Sequence, residues 1–148
     1  MRFTITVTGI DKAIKDITAE ANTLSSHRLF LRREVVPELR KQFRNVFRTR
    51  GFGKWQPLAP STIAEKRSKG YSIEPLVRTG VYRSASRNLR GLRVRRNQLE
   101  VTSPITYAKY HEFGTRGRPQ RPVFEFVADK MKDELPRLYR RYTRRRTR

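Results

Sequence analysis

The chain has 148 residues, and its 35 lysines and arginines outnumber its 13 acidic residues, which gives a formal charge of +22. This excess predicts an anionic partner, either nucleic acid phosphates or an acidic protein surface. The absence of cysteine excludes disulfides and thiolate chemistry, and two histidines leave little for a structural zinc site. The sequence has no run typical of a signal peptide or a membrane span, so we expect a soluble protein made in the cytoplasm, without membrane partner or cofactor.

The first third of the chain predicts one strand and one long helix. Residues 2–8 alternate between apolar and polar, as in a half-buried strand. From Ile14 to Val46 apolar residues recur at spacings of three and four or their sums, which predicts a stripe along one helix face. Pro37 lies in this stripe, so the helix either kinks there or ends after Val36. Because the stripe is longer than one small core needs, we expect neighbouring subunits to cover part of it.

The middle of the chain predicts short elements between loops. Residues 49–60 contain two glycines and two prolines, which excludes long regular structure. A short helix follows to about residue 69, and a second helical segment begins near residue 76. Residues 92–102 alternate in the way that a β-hairpin does.

The last third predicts an aromatic turn and a final helix. Tyr107, Tyr110 and Phe113 are three residues apart and share one face of a short helix, which we expect to pack against the core. Gly114 follows where a helix C-terminus favours a residue with positive φ. Residues 124–138 repeat apolar side chains as an amphipathic helix does. The elements together predict an α+β fold, with one domain over residues 1–140.

Residues 141–148 complete an arginine-rich C-terminal tail. Seven of the last twelve residues are arginine, which predicts a solvated tail until something acidic orders it. We assign electrostatic docking to these seven side chains, which are Arg137, Arg140, Arg141, Arg144, Arg145, Arg146 and Arg148.

Several short motifs occur in a fixed order between about residues 47 and 130. They are Phe52-Gly53-Lys54-Trp55-Gln56-Pro57-Leu58, then Thr62 and Lys66, then Leu76-Val77-Arg78-Thr79-Gly80-Val81-Tyr82-Arg83-Ser84, then the residues Tyr107 to Gly114, and finally Arg121-Pro122-Val123-Phe124. Each motif alone occurs by chance in many proteins. The ordered set resembles the phage virion morphogenesis family, the tail-completion and head-to-tail joining proteins of tailed bacteriophages.

The resemblance implies a non-enzymatic, ring-forming subunit of the neck or tail end of a virion. Its neighbours would be neck, tail-terminator, tail-tube or portal-adaptor proteins, and a hexamer or dodecamer would match their symmetry. We expect a subunit or partner interface at Trp55, Pro57, Leu58, Arg121, Pro122 and Phe124. For the tryptophan loop, sealing of the domain edge is an equal alternative.

His111-Glu112 shares two residues with a zinc-protease helix, but Thr115 stands where the second histidine would be. We therefore expect a structural turn at Tyr107, Tyr110, His111, Phe113 and Gly114, with no catalytic or metal-binding residue. The alternative function is a sequence-independent DNA-binding or packaging accessory protein, and contact of the tail with genome DNA stays open. An enzyme ranks third, because no cluster of Asp, Glu and His has metal-binding spacing.

Overall fold

Helices pack beside one small antiparallel sheet, so the α+β class expected from the sequence is confirmed. The computed structural model describes residues 4–6, 26–95 and 98–146. In chain order the elements are β1 (Thr4–Thr6), α1 (Ser26–Phe30), a π-helical turn (Leu31–Val35), α2 (Val36–Arg48), α3 (Pro60–Ser68), α4 (Val81–Arg87), β2 (Leu92–Val94), β3 (Leu99–Thr102), α5 (Ala108–Phe113) and α6 (Phe124–Arg146). No helix in these described ranges is both long and apolar enough to span a membrane.

The first helical segment continues through Pro37 without a break. The π-helical turn lies immediately before it, and the N–H of Val36 donates to the carbonyl of Leu31, five residues back. A π turn is wider than an α turn and relieves the backbone where proline cannot donate its own hydrogen bond. The helix therefore does not end after Val36.

The apolar stripe of the π-helical turn and α2 packs against α6. Leu31, Val35, Leu39, Phe43 and Val46 are all buried, as the periodicity predicts. On α6 the matching buried residues are Phe124, Val127, Met131, Leu135 and Leu138. The rings of Phe43 and Phe124 meet edge to face with centroids 5.1 Å apart. The described part of the stripe, from Leu31 to Val46, is thus covered within the chain. Residues 14–24 lie outside the described residues, so the expectation that neighbouring subunits cover part of the stripe stays a prediction.

The sheet has three strands in the order β1-β3-β2, all antiparallel. The predicted hairpin is present, with Leu92 opposite Val101 and Val94 opposite Leu99. The predicted N-terminal strand pairs with the other edge of β3, where Thr4 lies opposite Thr102. Between the helices, the second short helix starts at Val81 rather than near residue 76.

The arginine-rich tail is helical as far as Arg146, because α6 continues through Pro136 to that residue. Tyr142 is buried, with its ring 5.4 Å from that of Phe30. The buried carboxylate of Glu34 accepts hydrogen bonds from Arg141, with Nε to Oε2 at 3.1 Å, and from Arg145, with Nη1 to Oε1 at 3.4 Å. The acidic group that pairs with these arginines belongs to the same chain, and α6 passes residue 140 without a break.

Candidate functional site

A cleft of about 470 Å³ opens between α3, the segment before α4, and α5. We call it the basic cleft, and its characteristic residues are Leu58, Lys66, Arg78, Val81, Arg118 and Arg121. Among the residues that the structure describes, no Asp or Glu lines it. Each motif that carries the resemblance contributes at least one lining residue, which makes the cleft the meeting point of the motifs.

Next to the cleft, Glu112 of α5 caps the N-terminus of α6. Its side chain is buried, and Oε1 accepts hydrogen bonds from the N–H groups of Val123 at 2.8 Å and Phe124 at 3.0 Å. The first N–H groups of a helix have no partner inside the helix, and the helix dipole favours a negative charge there. The hydroxyl of Tyr82 donates to the same oxygen at 3.2 Å. One carboxylate therefore fastens α4, α5 and α6 together.

The electrostatics of this group follow from its burial. Burial raises the pKa of Glu112, and the hydrogen bonds from the N–H groups of Phe124, Val123 and Glu125 oppose that rise. Burial, followed by the charge of Glu112, raises the pKa of Tyr82 well above its ordinary value. Tyr82 therefore keeps its proton and acts as a hydrogen-bond donor near neutral pH.

His111 packs between two tyrosine rings at the wall of the cleft. Its ring stacks on Tyr82, with centroids 5.6 Å apart and an interplanar angle of 28°, and meets Tyr107 edge-on at 5.8 Å. Burial lowers the pKa of His111, and the charges of Arg121 and Arg118 lower it further. In the described ranges there is no group of three or more His, Asp or Glu side chains that could hold a metal ion.

Lys66 supplies a recessed positive charge in the basic cleft. The residue is only 9% exposed, and its ammonium donates to the carbonyls of Glu74 at 2.7 Å and Val77 at 3.1 Å. Burial lowers the pKa of Lys66, and the charge of Glu74 partly offsets this effect. The lysine thus joins α3 to the segment before α4, and its charge lies in the wall of the cleft.

Two loops exchange hydrogen bonds at the other side of the cleft. The indole N–H of Trp55 donates to the carbonyl of Pro122 at 2.9 Å. In the opposite direction, the guanidinium of Arg121 donates to the carbonyls of Gln56 and Pro57, both at 3.1 Å. Burial lowers the pKa of Arg121. These bonds join the tryptophan loop to the start of α6.

The expected interface residues divide into buried and exposed ones. Trp55, Pro122 and Phe124 are buried in this chain, so they hold the fold together and present no contact surface. For Trp55, the structure therefore favours sealing of the domain edge over a subunit contact. Pro57 is exposed and Leu58 is half-buried at the cleft.

The aromatic face of α5 points outward, which corrects the expectation of core packing. Tyr107, Tyr110 and Phe113 are 41%, 47% and 63% exposed, whereas Ala108 and Glu112 are buried. The spacing identified a shared face but not whether that face points to the core or to solvent. The first N–H groups of α6 need an acceptor, and Glu112 supplies it from the buried face of α5. Gly114 has φ +70°, as predicted, and a Cβ there would meet Gln120 Cγ at 3.0 Å and the Arg118 carbonyl at 3.1 Å.

The arginines assigned to docking are partly engaged within the chain. Arg141 and Arg145 pair with Glu34, and Arg137 pairs with Glu134 at 3.5 Å. Arg140 and Arg144 are exposed on α6. Arg148 and the side chain of Arg146 lie outside the described residues.

Sequence reasoning missed the role of Glu112. A usable signal was present, because the predicted final helix follows Val123, which has no side-chain oxygen to accept hydrogen bonds from the first N–H groups. An acceptor had to come from elsewhere in the chain. Which acidic residue supplies it depends on the packing of α5.

Comparison with known proteins identifies one distant relative. The chain is similar to an uncharacterized protein of Methanocaldococcus jannaschii, with 24% identity over 117 residues, which cover 78% of this chain and 86% of that protein. No protein-family model matches the chain, and no solved structure matches it. The similarity spans most of both chains, but the relative's name carries no function.

Proposed function

We propose that this protein is a structural subunit of a bacteriophage neck or tail end, which forms a ring and completes the tail or joins it to the DNA-filled head. The observation that carries the proposal is that the ordered motifs form one hydrogen-bonded unit. Trp55 binds Pro122, Arg121 binds Gln56, and Glu112 binds Phe124. Motifs that hold one another in place are a shared framework, which supports the resemblance to the phage virion morphogenesis family.

The exposed face of α5 is the candidate assembly surface. A ring subunit needs apolar surface for its neighbour, and aromatic side chains are enriched in such contacts. Tyr107, which precedes α5, and Tyr110 and Phe113 on this six-residue helix present three exposed aromatic rings. Val81, which is 48% exposed, lines the basic cleft together with Tyr107 and extends this apolar surface.

Sedimentation and electron microscopy test the proposal. The purified chain, alone and mixed with tail-tube ends, is expected to form closed rings or to cap the tubes without DNA. A Tyr110→Ser, Phe113→Ser double variant should remain folded and fail to assemble. The matched control is Ile73→Ser, which removes an exposed apolar side chain from another segment. A chain that stays monomeric with tube ends and binds only duplex DNA would contradict the proposal.

DNA binding is the second candidate, and a cluster of arginines favours it. Arg44 and Arg48 of α2 face Arg83 and Arg87 of α4 across an open cleft of about 570 Å³, which we call the arginine cleft. The spacing of four residues places each pair on one helix face. Guanidinium groups grouped in this way suit bidentate contact with phosphates.

The salt dependence of duplex binding separates this candidate from general attraction to a chain of charge +22. The Arg44→Gln, Arg83→Gln double variant should lower the slope of log affinity against log salt by about 0.9 for each phosphate that it no longer neutralises. Arg40→Gln with Arg90→Gln removes the same charge from two exposed sites outside the arginine cleft. Equal slopes for the two double variants would exclude the arginine cleft as the DNA site.

A further inference from the structure

We propose that the basic cleft binds a short acidic segment of a partner polypeptide, in which an apolar residue stands beside two carboxylates. The proposal assigns a class of ligand to a cleft whose surrounding residues stabilise the fold. The cleft would take such a segment whether or not the chain forms rings, so a failure of ring assembly leaves the proposal standing.

The first argument is that positive charge is fixed in the cleft without a carboxylate in its described lining. Lys66 is nearly buried, and its ammonium is held by two backbone carbonyls. The nearby carboxylate of Glu74 is already paired with Arg50, at 3.2 Å. Arg121 is likewise held by carbonyls. Partly buried cations whose charge is only partly balanced are costly, so an entering anion gains free energy.

The second argument is that the walls of the cleft are largely apolar. Leu58, Leu76, Val77 and Val81 line it beside the cations. A volume of about 470 Å³ lies in the range of small-ligand sites, which bury a few groups rather than an extended surface. An apolar side chain between two carboxylates would therefore fill the cleft and place its charges near the recessed cations.

The same features argue against a nucleic acid in this cleft. A duplex presents phosphates on a rigid, convex surface, whereas Lys66 is only 9% exposed and its ammonium is held by two backbone carbonyls. Apolar walls offer nothing to a sugar-phosphate backbone. A carboxylate on a flexible side chain reaches such a position, and the exposed Arg78 and Arg118 at the cleft attract acidic segments from solution.

Fluorescence anisotropy with defined peptides tests the proposal. The probe is a labelled peptide with the core Glu-Leu-Glu between Gly-Ser flanks, and it is compared with Gln-Leu-Gln and Glu-Ser-Glu versions. The Arg78→Gln, Arg118→Gln double variant should weaken binding about tenfold. The control is Arg40→Gln with Arg90→Gln, which lowers the net charge equally at exposed sites outside the basic cleft and should change affinity less than about twofold.

The Glu-Ser-Glu peptide should bind several-fold more weakly than the probe, and Gln-Leu-Gln should not bind. Amide NMR shifts on addition of the probe should be largest at Thr62, Gly80 and Tyr107, and circular dichroism melts verify that each variant is folded. Equal losses of affinity in the two double variants would show attraction to overall charge and overturn the proposal. The proposal is also overturned if the chain shows no saturable binding of the acidic peptides. It is likewise overturned if the Arg78→Gln, Arg118→Gln variant loses affinity for duplex DNA but not for the probe.

Discussion

Replacement of Glu112 is the sharpest test of how this fold is held together. Its buried Oε1 accepts three hydrogen bonds, from the N–H groups of Val123 and Phe124 and from the hydroxyl of Tyr82. Glu112→Ala leaves all three donors without this acceptor in the interior. We therefore expect the variant to lose stability in α6 and in the packing of α4 and α5 against it.

The size of the loss follows from the number of donors. Each buried donor left unsatisfied costs about 1 to 3 kcal/mol, and neighbouring effects are not additive, so Glu112→Ala should cost about 3 to 5 kcal/mol. This is a large part of the roughly 5 to 15 kcal/mol that stabilises a domain. Glu112→Gln should cost only about 1 kcal/mol, because its carbonyl oxygen replaces Oε1 and the lost charge matters mainly to the helix dipole. Its amide nitrogen would face the N–H of Glu125, which lies 3.5 Å from Oε2.

Urea unfolding of the wild type, Glu112→Ala and Glu112→Gln measures these free energies. Asp133→Asn, which alters an exposed carboxylate on the same helix, is the control and should change stability by less than about 0.5 kcal/mol. A Tyr82→Phe substitution should cost less in the Glu112→Ala background than in the wild type, because the hydrogen bond is already absent there. If the free energy of unfolding of Glu112→Ala is within about 0.5 kcal/mol of the wild-type value, the capping argument is refuted.

The same residue gives a pH dependence with a defined sign. Because burial raises the pKa of Glu112, the folded protein binds this proton more tightly than the unfolded chain does. The contribution of Glu112 to stability therefore falls as pH rises from the ordinary carboxyl pKa through the raised one, and is constant above it. The difference in stability between wild type and Glu112→Gln should show this fall, and a difference that grows with pH would contradict it.

Four substitutions and one truncation test the surrounding structure. Gly114→Val should destabilise by about 1 to 3 kcal/mol or more, because it forces a β-branched residue to positive φ against a backbone carbonyl; a melt equal to wild type would contradict this. Phe113→Ala should cost less than about 0.5 kcal/mol because the ring is exposed, whereas Phe43→Ala should cost about 3 to 5 kcal/mol in the core; similar costs would be inconsistent with the packing. Because the pKa of His111 is lowered, stability should fall as pH drops below about 6.5, and His111→Gln should remove that fall while leaving assembly intact; a folded but inactive variant would reopen a chemical role. Deletion of residues 141–148 should lower the melting temperature, since it removes a buried tyrosine and two ion pairs; an unchanged melting temperature would show that this turn of α6 is a dispensable tail.

Local pattern was sufficient to predict most of the regular elements. Periodicity correctly predicted the buried face of the π-helical turn and α2, from Leu31 to Val46, and that of α6, from Phe124 to Leu138. Alternation predicted the hairpin, and Gly114 was predicted at positive φ. These features depend on spacing within a few residues, which one sequence records directly.

Which face of a helix is buried, and which distant residues pair with each other, were decided only by the tertiary structure. The spacing of Tyr107, Tyr110 and Phe113 defines a shared helix face, but only the structure shows that the opposite face turns inward, where Glu112 caps the start of α6. The composition of the tail indicated arginines in solvent until an acidic group orders them, but it could not identify Glu34, more than a hundred residues earlier, as the group that pairs with Arg141. The physical reason is that a buried charge or an unsatisfied helix end pairs with whichever group the fold brings near. That group can be any number of residues away along the sequence.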